Sequence, residues 1–270
     1  MENCTALKRF FVYLIINLTV FSSAIFSQEK NNYPFHSGER LDFVMNYTWG
    51  GVITDVGSAT CNLTYSDGNY NVLLTGRTFK FFDMFFKVRE RFEVRFSEKT
   101  FRPSRFHREA AEGKYRMNNT LIFNQDYTIS SRTQKRDRPA VDTLLKGTSN
   151  TLDLLTLFFK YRTMEFAESS VGVKKPLEFV IDKEIYNLYF IYLGKENKKI
   201  TGVGTFRTMK FAAKVVAGNV FDGKEDMLIW VTDDQNKIPV FFESPIIVGK
   251  VQGRITGITG NKYPLTSKIK

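Results

Sequence analysis

Residues 58–74 read SATCNLTYSDGNYNVLL, two segments of alternating apolar and polar residues on either side of an Asp-Gly pair. The first segment places Cys61 and Leu63 on one side, and the second segment resumes the alternation at Tyr70. A period of two residues is that of a β-strand with one buried face. An Asp-Gly pair is typical of a tight turn, because glycine accepts positive φ without steric cost. The stretch therefore predicts an antiparallel β-hairpin over residues 57–78.

The same alternation recurs on both sides of this hairpin. Before it, residues 41–49 carry an apolar or aromatic side chain at each odd position. After it, strand patterns occupy residues 92–96 and 115–129, and further ones follow between residues 177 and 258. We predict a mainly β fold: a single antiparallel, strongly curled sheet, either an open barrel or a sandwich, with one packed helix.

Residues 150–164 form the clearest helical segment. Apolar residues recur there at helical spacing, at Leu152, Leu155 and Phe159. Ser149 or Asn150 is the predicted N-cap, and Asp153 suits the positive N-terminal end of a helix. The pattern leaves residues 79–86 open between a second, shorter helix and an apolar loop.

Residues 1–27 have the parts of a secretory signal peptide. Lys8 and Arg9 supply positive charge, residues 10–26 form an apolar stretch, and Ser27 offers a small residue at the cleavage point. The apolar stretch is short and diluted by polar residues, whereas a membrane-spanning helix needs ~20 apolar residues. We therefore predict that the chain is exported to the periplasm or cell envelope, or secreted.

Residues 28–270 are then predicted to form a single β-rich domain. The most linker-like segment lies near residues 133–150, where an N-terminal and a C-terminal half would join. Cleavage removes Cys4 and leaves Cys61 as the remaining cysteine, so no internal disulfide is expected. Because Cys61 lies on the apolar side of its strand, we predict a buried and unreactive thiol.

The composition favours some partners and excludes others. The net charge is +11, and 26 Phe supply ample material for a core. A basic protein attracts anionic partners such as lipid headgroups or acidic glycans. The basic residues are spread along the chain rather than clustered, so nucleic acid is not expected as a partner. Charged residues also alternate with apolar ones, as at Arg91, Glu93 and Arg95, which disfavours a membrane-embedded barrel.

The sequence contains no pattern of catalytic, cofactor-binding or metal-ligating residues. His36 and His107 are the only histidines and have no ligand-type neighbours at the spacing that a zinc site needs. No Gly-x-Ser-x-Gly elbow and no glycine-rich phosphate loop occur. Asp233-Asp234 is interpreted as a hairpin turn rather than a calcium loop. We predict a protein that is not an enzyme, with no catalytic residues, no cofactor and no metal.

Three residues are nevertheless candidates for ligand binding. Arg105 and His107 lie on the same side of one predicted strand, where together they could hold an anionic headgroup. The alternative is that both side chains lie on a solvated outer face. Trp230 could stack on a sugar ring, and the alternative is a Trp buried in its strand.

Several stretches have the character of a family signature. They are FHSGERLDF (residues 35–43) with GSA (57–59), LDLLTLFFKYR (152–162), and LIWVTDDQNKIPV (228–240) with GKV (249–251). Together they resemble the domain of unknown function 3108 family of exported bacterial proteins over nearly the whole chain. The resemblance implies an envelope location and a mainly β fold. It implies no reaction and brings no catalytic motif with it.

We predict an exported envelope protein that binds an apolar or amphipathic ligand such as a lipid without catalysing a reaction. Aromatic residues on alternating strands can line a concave face, as ligand sites often require. The first alternative is a structural or assembly factor that binds an envelope protein. The second is a hydrolase of envelope polymers, which would need two carboxylates ~5–9.5 Å apart in a cleft.

Overall fold

The predicted strands join into one large sheet. The computed structural model describes residues 32–214, 226–246 and 249–269, so the predicted signal peptide over residues 1–27 lies outside the described residues. The strands are β1 (Arg40–Trp49), β2 (Val52–Ser66), β3 (Asn69–Thr78), β4 (Val88–Ser97), β5 (Pro103–Glu112), β6 (Tyr115–Phe123), β7 (Thr128–Lys135), β8 (Val141–Lys146), β9 (Leu152–Asp153), β10 (Lys174–Ile181), β11 (Glu184–Ile200), β12 (Gly204–Ala213), β13 (Met227–Thr232), β14 (Pro239–Pro245), β15 (Lys250–Thr259) and β16 (Lys268–Ile269). The helices are α1 (Lys80–Phe86) and α2 (Leu154–Arg162), and a 3-10 turn spans Glu168–Ser170.

The strands follow one another in space almost as they do in sequence. The order is β8-β7-β6-β5-β4-β3-β2-β1-β15-β14-β13-β12-β11-β10-β9, and β16 pairs with β12. Neighbouring strands are antiparallel except β9 and β10, which are parallel. The fold class predicted from the sequence is confirmed: the chain is mainly β, with a single sheet that does not close into a barrel.

The hairpin predicted over residues 57–78 is present as β2 and β3. Asp67 and Gly68 connect the strands with φ values of 51° and 72°. Two consecutive positive φ values match the turn to the right-handed twist of the strands. Cys61 faces the core with 7% of its surface exposed, and burial raises the pKa of its thiol to about 12. A thiol with so high a pKa is a poor nucleophile at neutral pH.

The sheet curls until its two ends meet. Asp182 lies in the turn between β10 and β11, close to one edge of the sheet. Its backbone oxygen accepts hydrogen bonds from the Asn119 amide of β6 at 3.1 Å and from the Ser131 hydroxyl of β7 at 2.7 Å. These polar contacts link the two ends of the sheet, and no strand pairing bridges them within the described residues.

Aromatic side chains fill the space between β1–β7 and α2. Phe35, Phe96, Phe106 and Phe159 are each at most 1% exposed. The rings of Phe35 and Phe159 meet edge to face, with centroids 4.9 Å apart. Full burial of one such side chain contributes about 1.5–3 kcal/mol. This cluster therefore fixes α2 against the inner face of the sheet.

Helix α2 starts later than the sequence predicted. Asp153 is the N-cap, since its carboxylate accepts the N–H groups of Leu155 at 2.9 Å and Thr156 at 3.0 Å. The prediction of Ser149 or Asn150 as the cap was wrong. The physical reason is that Leu152 and Asp153 pair with β10 as a short strand, which keeps the preceding residues out of the helix.

Two further segments resolve what the sequence left open. Lys80–Phe86 is the short helix α1 and not a loop. The linker-like segment near residues 133–150 contains the hairpin of β7 and β8 and its connection to α2. The N-terminal and C-terminal halves consequently share one continuous sheet.

Candidate functional site

An apolar cavity lies between α2 and strands β10–β14. Its volume is about 410 Å³. The residues that line it are Leu154, Leu157, Phe158, Tyr161, Arg162, Phe166, Leu177, Phe179, Ile181, Phe190, Met209, Phe211, Ala213, Lys214, Met227, Ile229, Val231, Lys237 and Pro239. Nearly all of these side chains are apolar, so the space suits a hydrocarbon group rather than a polar substrate.

Strand register places the cavity inside the curl of the sheet. Phe211 of β12 is the cross-strand partner of Ile229 of β13, and Ile229 is the partner of Phe242 of β14. Phe242 in turn pairs with Gly253 of β15, which pairs with Met45 of β1. Cross-strand partners share a face of the sheet. The cavity wall is therefore continuous with the inner face that carries the core.

Helix α2 separates the filled core from the cavity. Leu155 and Phe159 are buried in the aromatic core. Leu154 and Phe158 lie on the other side of the helix and line the cavity. Leu154 remains 40% exposed, so the cavity has an apolar wall that reaches the surface. The helix thus has two apolar faces. One packs into the filled aromatic core, and the other borders the cavity.

Edge-to-face aromatic contacts fix one wall of the cavity. Phe166 follows α2 and packs on Phe211 with ring centroids 4.8 Å apart. Tyr161 packs on Phe190 at 4.5 Å in the same geometry. Such pairs contribute about 0.5–1.5 kcal/mol beyond their buried area. These two contacts hold the rings of Tyr161 and Phe166 against the strands.

Cationic side chains lie at the two ends of the cavity. Lys214 follows β12 at one end, with its ammonium nitrogen 3.7 Å from the Asp226 carboxylate. Lys237 lies at the other end, where its ammonium group donates to the backbone oxygen of Met164 at 2.8 Å and to the Glu165 carboxylate. Both ammonium groups are thus paired with a carboxylate of the protein, at the margins of a space whose lining is otherwise almost entirely apolar.

Arg162 also borders the cavity but is already fully engaged. Its guanidinium donates to both Glu39 carboxylate oxygens, at 2.5 and 2.8 Å, and to the backbone oxygen of Asn236 at 2.9 Å. Both side chains of the ion pair are at most 3% exposed. Arg162 therefore serves the fold, and its charge is not available to a ligand.

Comparison with known proteins identifies the family. The family described as "Protein of unknown function (DUF3108)" matches residues 42–256. The chain belongs to the DUF3108 family. None of the curated proteins matches it. The family match over residues 42–256 confirms the resemblance predicted from the sequence.

A solved structure shares the fold of the DUF3108 chain. It is the crystal structure of a beta-barrel-like protein of domain of unknown function DUF1849 from Brucella abortus. The TM-score is 0.52 and the identity is 9%, over 83% of this chain and 98% of the other. At this identity the likeness shows the fold alone.

The ligand-binding residues predicted from the sequence lie away from the cavity. Arg105 and His107 are on β5, on the outer face opposite the buried Phe106. His107 contacts the Thr120 hydroxyl at 2.9 Å through Nδ1, and Arg105 is exposed. Six strands separate β5 from β13, which carries Trp230. The structure therefore does not bring the three residues together.

Trp230 of the DUF3108 chain is buried on the face of β13 opposite Ile229 and Val231, which line the cavity. It is 3% exposed, and its indole N–H donates to the Glu196 carboxylate. The Lys198 ammonium lies 3.6 Å from its ring centroid, and Phe241 packs against it edge to face. These neighbours cover the ring, which agrees with a strand Trp that is packed rather than open to a sugar.

A cluster of carboxylates on the inner face bears on the hydrolase alternative. Arg108 contacts Glu90 at 3.2 Å, Asp182 at 3.2 Å and Glu112 at 3.6 Å. Burial raises the pKa of Glu90 to about 7, as in many general acids. The guanidinium contacts all three carboxylates, however, and this arrangement is an ion-pair network that joins strands.

The described ranges contain no cluster of three or more His, Cys, Asp or Glu side chains that could hold a metal ion. Asp233-Asp234 lies in the turn between β13 and β14, as predicted. Asp234 accepts hydrogen bonds from Thr232, Asn236 and Ser267, so its oxygens serve the turn. In the same ranges, no helix is long and apolar enough to cross a membrane.

Sequence reasoning missed the cavity and most residues around it. Alternation correctly marked Leu177, Phe179 and Phe190 as apolar strand residues. Nothing in a strand pattern says whether the space in front of those side chains is filled. The only local signal is in α2, where apolar residues surround more of the helix than one packing face requires.

Proposed function

We propose that this DUF3108 protein is an exported, non-enzymatic binding protein for an amphipathic molecule whose apolar part enters the cavity beneath α2. The observation that carries the proposal is the cavity itself, with a volume of about 410 Å³ and an almost entirely apolar lining. Ligand pockets in proteins typically enclose about 300–1,000 Å³. A filled interior would have been the ordinary outcome, because protein cores pack as densely as organic crystals.

The lysines at the ends of the cavity support an anionic amphiphile as the ligand, whose acidic group would replace the Asp226 or Glu165 carboxylate beside a lysine. Lys214 and Lys237 are placed where the polar group of a bound molecule would leave the apolar space. The aliphatic part of a lysine can pack on a hydrocarbon chain while its ammonium group stays near water. A fatty acid or the acyl chain of a lipid fits this arrangement.

An extracytoplasmic location is part of the proposal. It is supported by the positively charged and apolar segments within residues 1–27, which have the pattern of a signal peptide. Cell fractionation with mass spectrometry of the N-terminus would test it. Recovery of a chain that starts near Gln28 from the periplasm or envelope is expected, and an intact N-terminus in the cytoplasm would contradict it.

Ligand binding is tested with a fluorescent fatty acid, cis-parinaric acid. Ile229→Trp places an indole in the cavity and is expected to weaken binding by about tenfold, or about 1.4 kcal/mol. Leu193→Trp is the matched control, because Leu193 is an exposed residue of β11 outside the cavity. It is expected to bind as the wild type does.

The outcome that overturns the proposal is equally specific. Circular dichroism must first show that Ile229→Trp keeps the native fold. If parinaric acid then binds the variant as tightly as the wild type, the cavity is not the binding site. Organic extraction of the wild-type protein, followed by mass spectrometry, would show which natural amphiphile it carries.

A further inference from the structure

Exposed apolar side chains gather at one end of the sheet. The turn between β1 and β2 contributes Trp49, Val52 and Ile53, which are 62–66% exposed. Helix α1 contributes Phe81, Met84 and Phe85, which are 61–74% exposed. We call these six residues the apolar rim. Scattered single apolar residues are ordinary on a protein surface, whereas a gathered set indicates an interaction site.

Strand register shows that the two parts of the rim lie at the same end. Thr78 at the end of β3 pairs with Gly57 near the start of β2, and α1 follows directly. The N–H of Phe79 donates to the backbone oxygen of Val56 at 3.0 Å. Helix α1 therefore stands beside the β1–β2 hairpin, close to where that hairpin turns.

The aromatic side chains of helix α1 do not pack into the core. None of its side chains is buried. Polar contacts hold it instead: Asp83 accepts from the Thr78 hydroxyl at 2.5 Å and pairs with the Arg89 guanidinium at 2.6 Å. Four Phe and one Met thus lie outside the core in a seven-residue helix, and such a gathered apolar set is typical of an interaction site.

An arginine-rich groove adjoins the rim on the outer face of β1–β7. Its volume is about 870 Å³, and six arginines line it: Arg40, Arg77, Arg89, Arg91, Arg116 and Arg136. Arg40, Arg89 and Arg91 pair with nearby carboxylates. Arg77, Arg116 and Arg136 form no ion pair within the described ranges, although Arg116 and Arg136 donate to backbone oxygens of residues 113–115. Two glutamates, Glu90 and Glu109, also line the groove, so the arginines outnumber the carboxylates there.

We propose that this end of the sheet docks on the surface of an anionic lipid bilayer. The rim would enter the boundary between headgroups and acyl chains, and the three unpaired arginines would bind lipid phosphates. Aromatic residues favour that boundary, and basic residues near an anionic membrane add about 1 kcal/mol each. Two separate apolar protrusions flanked by arginine match a fluid lipid surface better than the continuous, packed core of a protein interface.

The Lys214 end of the cavity lies at the same end of the sheet as the rim. Thr48 of β1 pairs with Lys250 of β15, which pairs with Pro245 at the end of β14. Ala213 at the end of β12 pairs with Met227 at the start of β13, so Lys214 lies at this end too. Docking would then bring the Lys214 end of the cavity near the membrane for ligand exchange. That exchange rests on the proposed function, whereas docking itself does not.

Sedimentation with vesicles tests the docking. Wild-type protein is expected to bind vesicles of phosphatidylethanolamine and phosphatidylglycerol in equal parts, and to bind phosphatidylcholine vesicles weakly. The double variant Phe81→Ser/Phe85→Ser should bind the anionic vesicles at least about tenfold more weakly. Arg77→Gln should lose about fivefold in low salt and little in high salt.

The control variant is Ile122→Ser/Leu193→Ser. It removes two exposed apolar residues that lie outside the rim, and it should bind as the wild type does. The docking proposal is overturned if the wild type ignores anionic vesicles, or if the rim variant binds them equally well. The rim variant could still bind vesicles but no longer bind an envelope protein that binds the wild type in stoichiometric amount. That outcome would instead assign the rim to a protein partner.

A parinaric acid titration of the rim variant keeps the two proposals distinguishable. Because the rim lies outside the cavity, Phe81→Ser/Phe85→Ser should bind the fatty acid in solution as the wild type does. Normal fatty acid binding without vesicle binding by the wild type would overturn docking alone. Vesicle binding without fatty acid binding would overturn the cavity proposal alone.

Discussion

At the scale of single residues, Arg162 holds together three parts of the chain. It ends α2, pairs with Glu39 just before β1, and donates to the turn between β13 and β14 through Asn236. Its guanidinium also lies 5.2 Å from the ring centroid of Phe35. A buried charge of this kind is stable only while all its partners are in place.

Arg162→Met is therefore expected to reduce the free energy of unfolding by about 3–5 kcal/mol, because it leaves the Glu39 carboxylate buried without a partner. Urea unfolding would measure the loss. The control is Arg132→Met, since the pair of Arg132 with Asp142 is 65–67% exposed. The control should lose less than about 1 kcal/mol, and equal losses in the two variants would contradict the argument.

Asp153 is a second residue whose burial has a measurable consequence. It caps α2 and is fully buried, and the loss of solvation raises its pKa to about 6. Below about pH 4 the carboxyl is protonated in both the folded and the unfolded chain. Between about pH 4 and 6 the unfolded chain releases the proton first, so this group lowers the stability as the pH rises.

Asp153→Asn is expected to remove this pH-dependent loss, because Asn caps a helix about as well as Asp and carries no charge. The stability of the variant relative to wild type should rise by about 2–3 kcal/mol between about pH 4 and pH 7. Urea unfolding at a series of pH values would measure it. Asp153→Ala is the control and should be less stable through loss of the cap; a pH-independent difference between wild type and Asp153→Asn would refute the explanation.

At the scale of elements, close strand contact explains one glycine of the hairpin. A Cβ added at Gly57 of β2 would lie 2.4 Å from the backbone oxygen of Arg77 on β3. A Cβ at Gly76, on the neighbouring strand, would meet nothing nearer than the Glu90 side chain at 3.7 Å. Gly57 therefore has no room for a side chain, whereas Gly76 has room for a methyl group.

Gly57→Ala is expected to reduce the free energy of unfolding by about 1–3 kcal/mol, because backbone must move to admit the methyl group. Gly76→Ala should be neutral or should stabilise by up to about 1 kcal/mol, since alanine loses less conformational entropy than glycine on folding. Thermal and urea unfolding of both variants would decide. A loss from Gly76→Ala as large as that from Gly57→Ala would count against the close-contact explanation.

At the scale of the whole molecule, Arg108 joins the two ends of the curled sheet. It lies on β5 and reaches both Glu90 on β4 and Asp182 in the turn between β10 and β11. The open sheet has no strand pairing across this gap within its described part. Side-chain contacts therefore decide how firmly β10 and β11 stay closed over the interior, including the cavity.

Arg108→Met is expected to loosen this closure and to cost about 1–3 kcal/mol, since three carboxylates lose their common cation. Amide hydrogen exchange should become faster in β10 and β11 while the hairpin of β2 and β3 keeps its protection. Arg105→Met is the control, because Arg105 is exposed on the outer face of the same strand. Uniformly faster exchange throughout the sheet would show that Arg108 has no specific role in closure.

The sequence by itself determined the class of fold and most of its elements. Alternation predicted the strands, Asp67-Gly68 predicted the hairpin turn, and helical spacing predicted α2 to within a turn at its start. These features are local, because periodicity and turn chemistry depend on residues close together in the chain. The family resemblance could likewise be recognised in short stretches of the sequence, and the family matches residues 42–256.

Only the tertiary structure decided where the functional features lie. The apolar cavity depends on how far the sheet curls and on which face of α2 meets β10–β14. Alternation predicts which side chains face inward. Whether the space in front of them is filled depends on packing partners that are distant in sequence. The positions of Arg105, His107 and Trp230 were also decided by the tertiary structure. Their side chains point away from the cavity, and six strands separate β5, which carries Arg105 and His107, from β13, which carries Trp230.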